Sequence, residues 1–406
     1  MRTLTAFVVM AVVSPGVVLA EGTRECDAEE PAKVVRGCTA VIGSKGLSEE
    51  ARALARSKRA KAYQALGKHE SALADINEAI RSAPRNAGFY LVRAVSHRAT
   101  GDDERAMADC NKSITLDPRF APAYAERALV FRDTAQAERA IEDFGRAIAL
   151  DSQLGAAFQG RGDAYRSVGN PDQAIADYTQ AIRLDPKKAS YYVGRATALS
   201  DKKQYEAALA DYDKALALDS KILTALIGRA KTRAAVRNFD GSLADYTTAI
   251  TLGPELAAVY LDRGRVYKDM GNKDKAIADF TTAIKLSPKS PSAYNERALV
   301  YADRNEHEKA IADFSALIRL NPRNVVALNG RAWSQFKAGH AAAGLPDAEQ
   351  ALELRPDHPA ALDTRGHIFE AMGRSQEAIA DFRRALANDP SLEGSRDALK
   401  RLGAEP

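Results

Sequence analysis

Residues 276–280 read AIADF, and the same five letters return at 310–314 and 378–382, with a near copy, AIADY, at 174–178. Every separation among these copies is a multiple of 34. Laid out in blocks of 34 from Ala53, the chain runs without insertion or deletion to Leu392, giving ten blocks. A length of 406 residues by itself suggests two or three separate globular domains. Self-similarity at a fixed period overrides that expectation, because repeats stack into one continuous core.

Each block ends in a turn. Pro84, Pro118, Pro186, Pro254, Pro288, Pro322, Pro356 and Pro390 close eight of them, and Ser152 and Ser220 stand at that place in the third and fifth. Proline cannot continue a helix, so it marks the boundary. Inside the seventh block, Tyr260, Gly264 and Tyr267 fall on one face of a first helix. Gly271 and Asn272 break it, and Ala276, Phe280 and Ala283 fall on one face of a second helix. The eighth position is Ala or Gly in every block, and the twentieth is small throughout, with Ser242 and Gly344 as its variants. Two small faces let antiparallel helices approach closely, while an aromatic at position 24 fills the neighbouring gap.

This pattern (small at 8, aromatic at 11, Ala at 20, aromatic at 24, Ala at 27, Pro at 32) resembles the tetratricopeptide repeat family over residues 53–392. The resemblance implies an all-α fold, an α-solenoid of antiparallel helix hairpins wound into a right-handed superhelix. It also implies a concave groove that binds peptides or partner proteins. A solenoid needs caps over its end faces. Residues 31–42 (PAKVVRGCTAVI) read as a second helix without a first, and residues 393–402 (EGSRDALKRL) as a final polar-faced helix. The expected organisation is a leader at 1–20, an N-terminal cap at 21–52, ten repeats at 53–392, and a capping helix with tail at 393–406.

The leader reading rests on a basic start (Met1-Arg2), an apolar run from Leu4 to Val13, a break at Ser14-Pro15-Gly16, and small residues at Val18-Leu19-Ala20. That is the composition of a cleaved secretory signal, the alternative being an uncleaved anchor. No second apolar run follows, so no integral membrane segment is expected after cleavage. The chain is expected to be exported, periplasmic or secreted, and its Ala-rich composition inclines the reading to bacteria. In an oxidising compartment Cys26 and Cys38, 12 residues apart, could close one loop, and Cys110 reads as a buried free thiol. A net charge of +4 gives no reason to expect nucleic acid.

AIADF places its Asp at position 23, and all ten blocks carry Asp there, just as all ten carry Arg at position 7. In a hairpin that turns near position 15 these positions lie at similar height, so pairs such as Arg263–Asp279 and Arg297–Asp313 are expected, either across each hairpin or between neighbours. The acid before the closing residue occurs only as Asp117, Asp151, Asp185, Asp219 and Asp389, too few to serve ten arginines. The planar fork of Arg suits a carboxylate held by two hydrogen bonds. A structural ladder is preferred to a ladder of ligand-binding arginines, because each Arg has an equally regular internal acid.

The resemblance places the groove at positions 2, 5, 9, 12 and 13 of the first helices. Some members hold a C-terminal carboxylate there with Lys and Asn. Here position 5 carries Ser57, Leu91, Ala125, Gln159, Val193, Ile227 and Leu261, so that clamp is absent. Two groove regions stand out as partner-binding candidates. Arg98, Arg132 and Arg166 form a basic row at position 12 that could hold an acidic peptide, although Asp133 and Asp201 could neutralise it. The ninth block carries the only tryptophan, Trp333, with Phe336, and Asn329, Asp363, His367 and Glu370 would lie beside them. An exposed Trp among polar neighbours is the usual make-up of a binding hot spot, whereas a packing role would follow from the irregularity of this block. Its departures are Gln335, Gly344, Pro346 and Ala348, and Pro346 is expected to delay or bend the second helix.

No catalytic constellation, metal-ligand spacing or cofactor motif accompanies these features. His69, His97, His307, His340, His358 and His367 are scattered. Arg161-Gly162-Asp163 spells an adhesion tripeptide, but it falls inside a helix instead of on a protruding loop. The expectation is a non-enzymatic, exported protein-interaction scaffold binding a peptide or partner protein. The alternative is a regulatory or specificity subunit of a cell-envelope enzyme or of polysaccharide or secretion machinery.

Overall fold

The computed structural model describes residues 23–405, so the leader at 1–20 lies outside the described residues. Among the described residues every regular element is a helix. A helix at Pro31–Gly43 precedes the first hairpin, Glu49–Ala65 with His69–Ser82. Nine further hairpins follow, ending with Pro359–Ala371 and Ser375–Asn388, and a last helix spans Glu393–Arg401. The second hairpin has helices of 13 and 14 residues, and the tenth has the same two lengths.

The chain divides into two compact units on either side of Leu218 and Asp219. Within each unit a first helix packs on its own second helix, and that second helix packs on the first helix of the next repeat. First helices of successive repeats also approach one another, whereas second helices one repeat apart do not. The first helices of a unit therefore share one crowded face.

The core is built at the positions where the sequence keeps small residues. Ala60, Ala94, Ala298 and Ala332 at position 8 are fully buried, as are Ala72, Ala174, Ala276 and Ala378 at position 20. Between them lie the position-24 rings Phe144, Tyr178, Tyr212, Tyr246, Phe280, Phe314 and Phe382, each at most 2% exposed. These rings need more room than position 8 alone gives. A Cβ on Gly264 would come within 2.6 Å of the Phe280 ring, and one on Gly330, in the next repeat's sixth position, within 2.5 Å of Phe314. The absent Cβ is thus filled by a neighbour's aromatic ring.

The turn inside each hairpin has one fixed conformation. Position 15 adopts positive φ in all ten repeats: Gly67, Gly101, Gly169, Gly271, Gly339 and Gly373, and also Ala135, Lys203, Arg237 and Asn305. In the seventh repeat Gly271 N–H donates to Lys268 C=O, and Asn272 N–H donates to Tyr267 C=O at 2.8 Å. These bonds satisfy the last carbonyls of the first helix, which is the physical reason the chain tolerates a left-handed residue there.

Pro346 does not delay its helix. Ala341–Leu354 begins at the same register as its counterparts and keeps Pro346 in its interior. One intrahelical hydrogen bond is forgone there. Its neighbour Asp347 is held by Arg331 at 2.6 Å, and Gly344 sits against the Ala332 backbone, so packing fixes the turn around the proline.

Candidate functional site

The recurring aspartate belongs to the scaffold. In every repeat the position-7 Arg reaches the position-23 Asp of its own hairpin through two nitrogens, as Arg263 Nε to Asp279 Oδ2 and Nη2 to Oδ1, both at 2.8 Å. Arg297 binds Asp313 the same way, at 2.8 and 2.7 Å. The third guanidinium arm crosses to the preceding repeat, from Arg263 Nη1 to Thr247 Oγ1 and from Arg297 Nη1 to Thr281 Oγ1. Donation to the carboxylate raises the Arg263 pKa above its ordinary value against the opposing effect of burial. These arginines are occupied inside the protein.

At the amino end Cys26 and Cys38 are joined by a disulfide, with Cα atoms 4.6 Å apart. Cys110 is a free, fully buried thiol. In the adhesion-like tripeptide, Arg161 is locked on Asp177 and Asp163 accepts a hydrogen bond from Tyr178 Oη at 2.6 Å. Burial pushes the Asp163 carboxyl above its usual range.

The basic row is internally neutralised. Arg98 Nε meets Glu126 at 2.6 Å and its Nη1 meets Asp133 at 3.1 Å. Arg132 also holds Asp133, at 2.9 Å, and Arg166 holds Asp201 at 3.1 Å. An acidic ligand would have to displace these carboxylates, since Arg98, Arg132 and Arg166 do not form an open cationic strip. Glu126 escaped the sequence reading because its position is acidic only in some repeats.

The ninth and tenth repeats bring the other candidates together. Trp333 and Phe336 have ring centroids 5.3 Å apart, and His367 from the next first helix lies 5.6 Å from Trp333 and 5.7 Å from Phe336, stacked on the latter. The far side of His367 meets Phe382 at 4.9 Å. Asp363 and Glu370 approach the two imidazole nitrogens at 3.7 and 3.5 Å. Glu370 is in turn held by Arg401 of the last helix, and Lys337 sits over the Trp333 ring. Trp333 and Phe336 are only half-buried. The cluster is therefore both packed and open: His367 anchors the rings from behind, leaving their outer edges on the shared face of the first helices.

Two neighbours extend this surface. Leu299, at the position equivalent to Trp333 one repeat earlier, is 43% exposed, and Val326 is 54% exposed. Asn329 lies one helical turn before Trp333, and Asn295 one turn before Leu299. Asn295, with Arg265, Ser292, Glu296, Asn324 and Val326, lines a cleft of about 280 Å3. Val326 and Asn295 were missed in the sequence. The available signal was the change of the position-5 column from aliphatic Ile227 and Leu261 to Asn295, Asn329 and Asp363.

Among the described residues no group of three or more His, Cys, Asp or Glu is arranged to hold a metal ion. No described helix is long and apolar enough to cross a membrane.

The family model for the tetratricopeptide repeat matches residues 57–120, 160–221, 261–325 and 329–393. No match was found among curated proteins. Solved structures similar to this chain include a tetratricopeptide repeat protein from Parabacteroides merdae, 23% identical, with a TM-score of 0.46 over 62% of this chain and 99% of that one. PilF of Pseudomonas aeruginosa is 20% identical, with a TM-score of 0.48 over 53% of this chain and 97% of that one. The Cut9–Hcn1 assembly contains a chain 14% identical, with a TM-score of 0.46 and 97% of each chain covered. With a family model matched over more than half of its length, the chain belongs to the tetratricopeptide repeat family.

Proposed function

We propose that this protein is an exported interaction scaffold that holds a peptide or partner protein on the first-helix face of its eighth to tenth repeats. The observation that carries the reading is the half-exposed Trp333, backed by Phe336 and His367 and flanked by exposed Leu299 and Val326. A rigid aromatic anchor with apolar neighbours and a polar rim is the composition on which binding energy concentrates. Export is supported by the signal-like residues 1–20 and by the Cys26–Cys38 bond, which persists in oxidising compartments.

The test is affinity capture from an envelope extract, with the intact mature chain and a Trp333→Ala/Phe336→Ala variant as paired baits. A partner held by the first and lost by the second, at equal helical content, supports the reading. A partner held equally by both moves the site elsewhere on the molecule.

A further inference from the structure

Each junction between repeats sets the end of a second helix beside the start of the next first helix, so the junctions of the second unit line up along one edge. In the second, fourth and fifth repeats a junction cation is accompanied by an acid. Asp117, Asp185 and Asp219 accept the backbone N–H groups of Arg119, Lys187 and Lys221. In the seventh and eighth repeats that acid is replaced by Ser287 and Asn321. Asn321 Oδ1 closes the same turn on Arg323 N–H at 3.2 Å, without bringing a charge.

A ridge of uncompensated cations results. Residues 280–295 and 314–346 contain no Asp or Glu. Lys285, Lys289, Arg319, Arg323 and, at the next junction, Arg355 are exposed and take part in no ion pair among the described residues. Arg323 and Arg355 line one cleft of about 450 Å3. Leu286 and Leu320 follow Lys285 and Arg319 in the chain and are 39% and 40% exposed. Glu255 and Glu353 bound the ridge, and Asp357 is held by Arg384.

Helix stability accounts for only part of this pattern. Lys285 and Arg319 lie in the last turns of their helices, where a cation complements the helix dipole. Lys289 and Arg323 lie just ahead of Pro291–Asp303 and Val325–Lys337, whose amino ends disfavour positive charge.

We propose that this edge rests on the surface of an anionic lipid bilayer, with the cations on lipid phosphates and Leu286 and Leu320 at the boundary of headgroups and acyl chains. A soluble polyanion would use the charges and leave the leucines without a contact. A fluid leaflet needs no carved pocket, in keeping with cations that stand out at the turns. Leu252 is as exposed as Leu286, but its junction carries Glu255 and no cation. The edge is separate from the first-helix face of Trp333, and membrane contact does not depend on that face.

The experiment is co-sedimentation of the mature chain with vesicles of phosphatidylcholine, alone or with about one-third phosphatidylglycerol. Binding is expected only to the anionic vesicles. It should weaken as salt rises from about 0.1 M to about 1 M and the screening length falls from about 10 Å to about 3 Å. Lys285→Gln/Lys289→Gln and Arg319→Gln/Arg323→Gln should each weaken it about 25-fold, or about fivefold per cation, with helical content unchanged. Leu286→Ser/Leu320→Ser should weaken binding and leave its salt dependence in place. Lys187→Gln/Lys188→Gln removes two cations from a junction that keeps Asp185, and should match the parent.

Equal weakening by that control pair would reduce the effect to net charge and overturn the proposal. Unchanged affinity in both ridge variants, or no binding to anionic vesicles at the lower salt, overturns it as well. Binding of soluble polyphosphate that is indifferent to the leucines, or capture of an acidic protein through the same cations without vesicle binding, would reassign the edge. Trp333→Ala/Phe336→Ala should bind vesicles as the parent does, and a loss there would move the membrane contact to the first-helix face.

Discussion

Asp279 holds both of its carboxylate oxygens 2.8 Å from Arg263, across the hairpin that AIADF helps to build. The pair is largely withdrawn from water, with side-chain exposures of 8% for Asp279 and 16% for Arg263. Removing one partner of such a pair strands the other charge, at a cost of about 3–5 kcal/mol. Asp279→Ala is therefore expected to lower the thermal midpoint of the second unit. A ligand bound near Trp333 should still bind at a temperature where the variant is folded. Loss of binding at unchanged stability would make this aspartate a recognition residue after all.

The hairpin turn offers a substitution in the stabilising direction. Ala135 adopts φ 58°, a conformation that glycine takes without strain and that other repeats give to Gly67 or Gly169. A non-glycine residue in the left-handed region costs about 1 kcal/mol, partly repaid by its lower freedom in the unfolded chain. Ala135→Gly should raise the unfolding midpoint in urea without changing its slope. The reverse change at the equivalent turn, Gly169→Ala, should lower it. Two shifts of the same sign would refute the turn argument.

Much of this architecture was readable because the period repeats each constraint ten times. The Arg at 7, the Asp at 23 and the small residue at 8 each announce themselves by recurrence, and the ion pairs follow from their heights in a hairpin. The left-handed turn was legible only where glycine marks it. Ala135, Lys203, Arg237 and Asn305 take the same conformation because the surrounding hydrogen bonds outweigh their local preference. Pro346 misled for a related reason, since packing around Gly344 and the Asp347–Arg331 pair holds a helix that proline alone would interrupt. The candidate site was half visible. Trp333 stands out as a single letter, but the cleft that brings Arg265, Asn295 and Val326 together from three successive repeats is a three-dimensional property that the position-5 column only hints at.

Packing between repeats should be intolerant of one added methyl. A Cβ on Gly330 would lie 2.5 Å from the Phe314 ring, which is itself only 1% exposed and has no free volume to enter. Gly330→Ala is expected to destabilise the second unit by about 1–3 kcal/mol. Pairing it with Phe314→Leu should recover part of the loss. Failure of that rescue in a double-mutant cycle would show that the ring and the glycine are not coupled.

His97 gives the first unit a pH dependence of known sign. It occupies a position filled elsewhere by Phe131 and Phe369, and its Nε2 lies 3.9 Å from Asp109, which Arg93 already holds. Burial pushes its pKa below 6.5, aided by the charges of Arg93 and Arg105 and opposed by Asp109 and Asp102. The unfolded chain therefore takes up this proton first. Its contribution to stability is complete above about pH 6.5 and is lost as the pH falls below that value. His97→Phe should flatten this part of the curve, so the stability difference between variant and parent should grow on acidification from pH 7 to about 5. A difference independent of pH would mean that the imidazole is charged in the folded state.

The three cysteines separate by chemistry as well as by place. Cys26 and Cys38 tie the first described segment to Pro31–Gly43, where Val34, Val41, Ala55 and Ala62 form a small shared core. A loop of this size stabilises by about 3 kcal/mol, chiefly by restricting the unfolded chain. Cys26→Ser/Cys38→Ser should therefore lower the midpoint of an early, local transition without shifting the unfolding of the second unit. Cys110 has no exposed surface, and burial raises its thiol pKa strongly, with Glu126 and Asp109 acting in the same direction. The thiolate is the reactive form, so an alkylating reagent at pH 8 should leave Cys110 unlabelled in the folded protein. One thiol per chain should become reactive when the first unit unfolds, and its labelling rate should follow the population of that unfolded state. Labelling of the native protein at the rate of a free thiol would place Cys110 at the surface and remove it from the core of the second repeat.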